Sequence, residues 1–397
     1  MALSKIDVSN MLDETLPVAQ GGTGVTSTPF PSNYSPNLNF RNIIINGNMS
    51  IAQRSTSVAS ISSGNTIHTC DRWKTYASSA GTWTQTQEAL TTGDAYNDGF
   101  STSLKLDCTT ANGSLSSGSY LQIAQSIEAQ NLQYIKKGTS NAEQLTASFW
   151  VKSTKTGTNI LQFVSLDNTV RICAKSYTIN SSDTWEKKTI TIPADTSSTG
   201  KIDNNNGEGM RMIFWIAAGT NYTSGTLATT WADTANANRA VGQINNADST
   251  SNNFEITGVQ LEAGTSASDF EFLPVDVNLD RCSRYFTIPA RGAGSDTTIC
   301  NGTMYTASEF YGVLEVGKKM RAIPTMSGST GSNTYGVLGD ASEDLTSSVA
   351  IGRTTNEGVV KCRVNASSVS KTQGQAAWLR FSSGADSNSF ISADAEL

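Results

Sequence analysis

The stretch Glu186-Lys187-Lys188-Thr189-Ile190-Thr191-Ile192-Pro193 starts polar and then alternates apolar and polar residues from Lys188 onward. That is the period of a strand with one wet face, because successive side chains point to opposite sides of a pleated backbone. Upstream, Leu145-Thr146-Ala147-Ser148-Phe149-Trp150-Val151 has the same period with the polar positions partly filled in, as in a strand covered on both sides. Working outward, comparable runs recur between turn clusters at 103–107, 120–128, 159–165, 170–179, 210–217 and 254–262. Asn42-Ile43-Ile44-Ile45-Asn46-Gly47 reads as a further short β-branched strand closed by a turn, and 66–70 reads as strand. One short helix is expected at 129–136. Many short strands at this spacing predict an all-β chain whose central domain, 41–275, is an antiparallel jelly-roll sandwich.

Composition agrees. Ser, Thr, Asn and Gly make up roughly two-fifths of the 397 residues, and such side chains favour turns and strand faces over helix interiors. Hydrophobic residues are 37% and charged residues 16%, both low for a cytosolic enzyme. The net charge of −6 comes with scattered basic residues, nothing denser than Lys318-Lys319-Met320-Arg321, so no nucleic-acid partner is expected. No apolar run of 18 residues is present to insert into a membrane, and the first residues lack the apolar run of a signal peptide. The six cysteines are irregularly spaced, with no CxxC pair to hold zinc, and buried free thiols are expected over disulfides.

Two flanking segments differ from the centre. Residues 1–40 carry Leu16-Pro17-Val18-Ala19-Gln20-Gly21-Gly22-Thr23-Gly24 and then Pro29, Pro31 and Pro36. Such a segment cannot bury a core, and it reads as an extended arm. Residues 276–397 begin with a compact link at 280–286. They continue with strand-like runs at 299–308, 310–316, 324–327, 359–364, 376–381 and 390–397, enough for a smaller β-sandwich.

The catalytic signals are weak. Gly312-Val313-Leu314-Glu315-Val316-Gly317-Lys318 fits the start of a phosphate-binding loop, but Lys319 stands where Ser or Thr would hold magnesium, and a hairpin edge is expected instead. Asp203-Asn204-Asn205-Asn206-Gly207-Glu208 is rich in oxygen ligands without the spacing of a calcium loop. His68 is the single histidine, in a strand-like context without a GxSxG elbow. With 34 acidic residues, pairs such as those needed for sugar hydrolysis arise anywhere. No enzyme activity, cofactor or metal is therefore expected. Aromatic residues are more informative. Trp73, Trp150 and Trp215 sit among apolar neighbours and read as core. Trp83, Tyr222 and Trp231 lie in stretches rich in Thr, Ser, Gly and Asn, where exposed rings could stack on sugars or plug the ends of the sandwich. Tyr305, Tyr311 and Tyr335 are the corresponding candidates in the distal unit.

Several of these stretches together resemble bacteriophage tail fibres. Leu16–Gly24 is similar to their "LPVxxGGTG" signature. Asn42–Arg54 followed by Asp71-Arg72-Trp73 resembles the opening of their carbohydrate-binding-like module. Ser148–Ser153, Thr184-Trp185-Glu186 and Ile256–Gly264 continue the likeness. Cys282–Phe286 and Met320–Pro324 resemble tail-fibre C-terminal parts, so the likeness covers about residues 16–325 and then thins. Asn48 departs from it, where Asp is expected. The resemblance implies jelly-roll modules, a homotrimer, and attachment to tail or baseplate proteins through the arm, including Leu16, Pro17, Gly21, Gly22 and Gly24. It also implies adhesion to host surface polysaccharide or lipopolysaccharide through a distal domain at 276–397. The expected location is the virion, with the chain made in the host cytoplasm and released by lysis. Alternatives are a purely structural adaptor and a fibre that depolymerises polysaccharide.

Overall fold

The computed structural model describes residues 40–292, 297–354, 359–365, 369–382, 385–386 and 388–397, with the backbone alone at 353–354 and 359–365. The arm, with Leu16, Pro17, Gly21, Gly22 and Gly24, lies outside the described residues.

The chain is all-β. Eleven strands form the first sheet: β1 (Ser57–Ile67), β2 (Lys74–Ala89), β3 (Thr102–Thr110), β4 (Tyr120–Glu128), β5 (Leu145–Ser153), β6 (Gly157–Ser165), β7 (Arg171–Ile179), β8 (Glu186–Ile192), β9 (Glu208–Ala218), β10 (Ala232–Asp233) and β11 (Asn253–Ala263). Their order is β10-β7-β6-β9-β4-β2-β3-β11-β5-β8, antiparallel throughout, with β1 added to β2. Strand β2 makes the sheet curl into a sandwich. Its first half pairs with β4 and its second half with β3, and the turn between them passes through Ser79 and Gly81 at positive φ. A core of large side chains fills the space between the layers, with Phe149 edge-on to Phe214 at 4.9 Å and Trp73 fully buried.

Part of the outer surface of this sandwich is also covered. Residues 219–240 fold across β6, β7 and β9, laying Tyr222, Leu227 and Ala240 over Ile160, Ile172 and the buried Trp215. Strand β11 is buried along nearly its whole length, including Glu255, Thr257, Gln260 and Glu262. Its buried polar groups are satisfied locally, for instance by Ser268, which donates to Glu262.

Two expectations are corrected here. Residues 42–47 are a bent, buried segment and not a strand. The Asn42 side chain accepts from the Ile44 and Leu261 amides, and the Gln125 amide both donates to and accepts from the Ile45 backbone. These side chains take the place of a strand ladder, and Asn46 adopts positive φ. Only Thr66 and Ile67 of the 66–70 run are strand, and His68 stands half-buried in the turn that follows. The expected helix appears as a 3-10 helix over Ala129–Ile135.

The link expected at 280–286 is mostly helix α1 (Val275–Ser283). Beyond it come β12 (Phe286–Arg291), β13 (Thr297–Thr306), β14 (Glu309–Glu315), β15 (Thr325–Gly328), β16 (Tyr335–Gly339), β17 (Ser342–Thr346), β18 (Ala350–Thr354), β19 (Val359–Asn365), β20 (Ala376–Phe381) and β21 (Phe390–Asp394). They form a seven-stranded sheet, β17-β16-β20-β13-β14-β19-β18, and a three-stranded sheet, β12-β21-β15. The core between them contains Met304, Phe310, Tyr335, Leu379, Phe381 and Ile391. The last residues return to the first sandwich. Arg72, only 2% exposed, pairs with Glu396 and lies 3.4 Å from the Tyr285 ring, while Arg284 makes a two-pronged bond to Glu128 at 2.7 and 2.9 Å.

Among the described residues, Cys70, Cys108, Cys173 and Cys282 are buried free thiols, and burial pushes the Cys70 thiol up to about 12. No helix among the described residues is long and apolar enough to cross a membrane.

Candidate functional site

The seven-stranded sheet has one face in the core and one in solvent, and strand parity decides which residues lie outside. In β13, β14 and β20, Met304, Phe310, Leu314, Leu379 and Phe381 point inward. Their alternates Asn301, Thr303, Tyr305, Tyr311, Val313, Ala376 and Trp378 therefore share the outer face. Trp378 is 52% exposed and Tyr305 58% exposed, both large apolar surfaces in water. Trp378 stands opposite Asn301 on one side and Leu338 on the other, while Thr303 stands opposite both Tyr311 and Ala376. The Tyr305 and Tyr311 rings stack in parallel, 4.6 Å between centroids and 3° between planes.

Trp378 on β20 and Tyr311 on β14 are separated by β13 and staggered by two residues along it, which puts their stems about 12 Å apart. The intervening positions, Asn301 and Thr303, carry an amide and a hydroxyl. Two flat aromatic platforms with hydrogen-bonding groups between them can hold two non-adjacent rings of one oligosaccharide by their C–H faces. Beside Trp378, Arg380 donates to Glu343 at 2.7 Å. Gly336 makes room for that pair, since a Cβ there would run into the Glu343 carboxylate.

Of the aromatic candidates, the structure brings Tyr305 and Tyr311 together and adds Trp378, which the sequence reading did not single out. Tyr335 belongs to the inner face: it is fully buried, stacked on Phe381, and its hydroxyl donates to the Ser329 carbonyl at 2.8 Å. Trp83 is likewise corrected from loop to strand. It lies in β2, is 0% exposed, and its indole N–H donates to the Ala80 carbonyl at 2.7 Å. Tyr222 is in a helical turn at 220–223, edge-on to Tyr120 and 5.2 Å from Trp215, with the Arg239 guanidinium 5.7 Å from its ring. Trp231 is tied down by an N–H bond to the Pro193 carbonyl at 2.9 Å, with the Lys137 ammonium 4.2 Å above its ring. Both are partly buried plugs of the central sandwich.

The remaining motifs are scattered. Gly312–Glu315 lies inside β14, between β13 and β19, so it is an interior strand and not an edge. Residues 204–207 form a bend before β9, where the Asn205 side chain accepts from the Gly207 amide. Burial lowers the basicity of His68. Among the described residues, no three His, Cys, Asp or Glu side chains converge as metal ligands.

No family model matches the chain, and no curated protein sequence matches it. Solved structures do. A tailspike protein of bacteriophage CBA120 aligns with 56% of this chain and 21% of its own enzymatically active domain, at 14% identity and a TM-score of 0.29. The chain thus spans about a fifth of that tailspike domain. A putative sugar-binding protein from Bacteroides thetaiotaomicron aligns with 56% of this chain and 99% of its own, at 13% identity and a TM-score of 0.29. The baseplate tripod of bacteriophage Tuc2009 aligns with 66% of this chain and 77% of its own, at 11% identity and a TM-score of 0.21. The architecture above rests on the strand pairing and not on these likenesses.

Proposed function

We propose that this chain is a phage tail-fibre component that adheres to host-surface glycans, without cleaving them, through the outer face of its distal sheet. One observation carries the reading: Trp378 and Tyr305 lie exposed on one face, Tyr305 stacked on the half-buried Tyr311, with Asn301 and Thr303 between them. Large exposed aromatic patches are rare on soluble proteins unless they bind something. Here the rings are interleaved with short polar groups, which favours a ligand with alternating C–H faces and hydroxyls over an apolar one. The face is open and shallow, so each contact is weak. A homotrimer joined to tail or baseplate proteins through residues 1–40 would compensate, because linked sites raise avidity about 10²- to 10⁴-fold.

The test is binding of the full-length, fluorescently labelled protein to host and non-host bacteria and to their purified lipopolysaccharide and capsular polysaccharide. Size and sugar release are followed on the same samples. Host-selective, glycan-competable binding by a trimer without sugar release is expected. A well-folded protein that binds no glycan would leave a structural adaptor, and release of soluble sugar would make it a depolymerase.

A further inference from the structure

A second place on the molecule has the chemistry of a sugar site, and it lies on the central sandwich. A cleft of about 410 Å³ opens beside the 3-10 helix Ala129–Ile135, within the range of small-ligand sites. Its floor is apolar, made by Leu132 and Ile202, and its rim carries Lys136, Thr139, Asn141 and Lys201.

The two loops that form it are pinned together. Gly138, at φ 79°, donates its amide to the Asp195 carbonyl at 2.7 Å, and a Cβ there would lie 2.5 and 2.7 Å from the Lys201 backbone. Lys137, buried below, binds the Asp195 carboxylate at 2.5 Å and the Gly200 carbonyl at 3.1 Å. Its charge is spent inside the protein, and what it supplies is rigidity. The rim cations are different. Among the described residues the Lys136 ammonium holds only an exposed pair with Glu143 at 2.7 Å, which is weak in water. Lys201 is exposed and makes no ion pair or side-chain hydrogen bond among the described residues.

We propose that this cleft binds an anionic sugar residue, bearing a carboxylate or a phosphate, from the same class of surface polysaccharide. The inference rests on the glycan-binding reading and extends it to a second, charge-selective site. The apolar floor receives the C–H face of the ring, Asn141 and Thr139 reach its hydroxyls, and the Lys136 and Lys201 ammonium groups flank its anion. Lysine suits this role as a compact point charge that accepts either anion. A neutral sugar would leave both ammonium groups unused.

Isothermal titration of the full-length protein with three probes tests it: tri-galacturonate, glucose 6-phosphate and a neutral galactose trimer. The variants are Lys201→Gln, Lys136→Gln and Trp378→Ala, all at exposed positions. At least one anionic probe is expected to bind, about tenfold more weakly in Lys201→Gln and more weakly at high salt. Which anion binds identifies the source of the charge. The salt-sensitive, lysine-dependent part of that binding should persist in Trp378→Ala, whatever that variant loses at the outer sheet face. Binding of neither anion, or equal binding by wild type and both lysine variants, overturns the proposal. If the neutral trimer or host polysaccharide still binds in a Trp378-dependent way, only this inference fails; if neither these probes nor host polysaccharide bind, the glycan reading fails with it.

Discussion

The two larger sheets of this protein are built from similar residues and end in opposite states. The eleven-stranded sheet is covered inside by the opposing layer of the sandwich and, over β6, β7 and β9, also outside by residues 219–240, which close over Trp215. The seven-stranded sheet buries Phe310, Leu379 and Phe381 on one face and leaves Tyr305, Val313 and Trp378 on the other. Apolar area removed from water is worth about 25 cal/mol per Å², so leaving such rings exposed forgoes stability that the central sheet collects. Aromatic residues in the first sheet therefore serve the fold, and those on the outer face of the second are the ones the proposed glycan reading assigns to a ligand.

The comparison can be broken most forcefully at the central core. Phe214→Ala removes a ring packed against Phe149 and Trp73 and should cost about 3–5 kcal/mol in denaturant unfolding. A cost below about 1 kcal/mol would mean that the centre is not closed as described. Next comes the junction. Glu396→Ala strands the buried Arg72 and should cost about 3 kcal/mol, moderated by the bond from Arg72 to the Ser126 carbonyl. An unchanged unfolding midpoint would contradict a coupled junction.

A smaller effect depends on pH. Burial raises the Asp71 carboxyl to about 6, outweighing the opposing pull of Arg54 and the hydrogen bonds from Gln53. In the unfolded chain it titrates near about 4. Between those values the folded protein holds more protons than the unfolded one, so this group's contribution to stability falls as the pH rises from about 4 to about 6. Asp71→Asn should flatten that part of the unfolding profile, and an unaltered slope would assign it elsewhere. The smallest stability effect belongs to the outer face: Trp378→Ala should shift unfolding by no more than about 1 kcal/mol, because half of its surface is already in water.

Much of the fold was legible because parity is written in the residues. Tyr120–Glu128, Leu145–Ser153, Glu186–Ile192 and Ala376–Phe381 have as strands the bounds that their alternation predicts. β1 and the 16-residue β2 were not legible: their Ser, Thr and Gly resemble loop composition, although Thr suits a pleated surface. That hid the burial of Trp83. At 42–47 the isoleucines are buried, but the local Asn42 side chain and the Gln125 amide brought from β4 set the backbone, and the local sequence carries no sign of Gln125. For the candidate site the signal was present in part. In Ala376-Ala377-Trp378-Leu379-Arg380-Phe381, Arg380 marks the solvent side and puts Trp378 there with it. Tyr335 has no such charged alternate in its own strand, and its inward side was decided by the sheet pairing with β20.

The most direct test is a paired measurement on wild type and Trp378→Ala: affinity for a purified host polysaccharide, with the unfolding midpoint read on the same preparations. The account predicts a midpoint that barely moves and an affinity that falls about tenfold, the loss of one stacking contact. An affinity that stays the same while the protein still binds would place glycan recognition somewhere other than the outer face of the distal sheet.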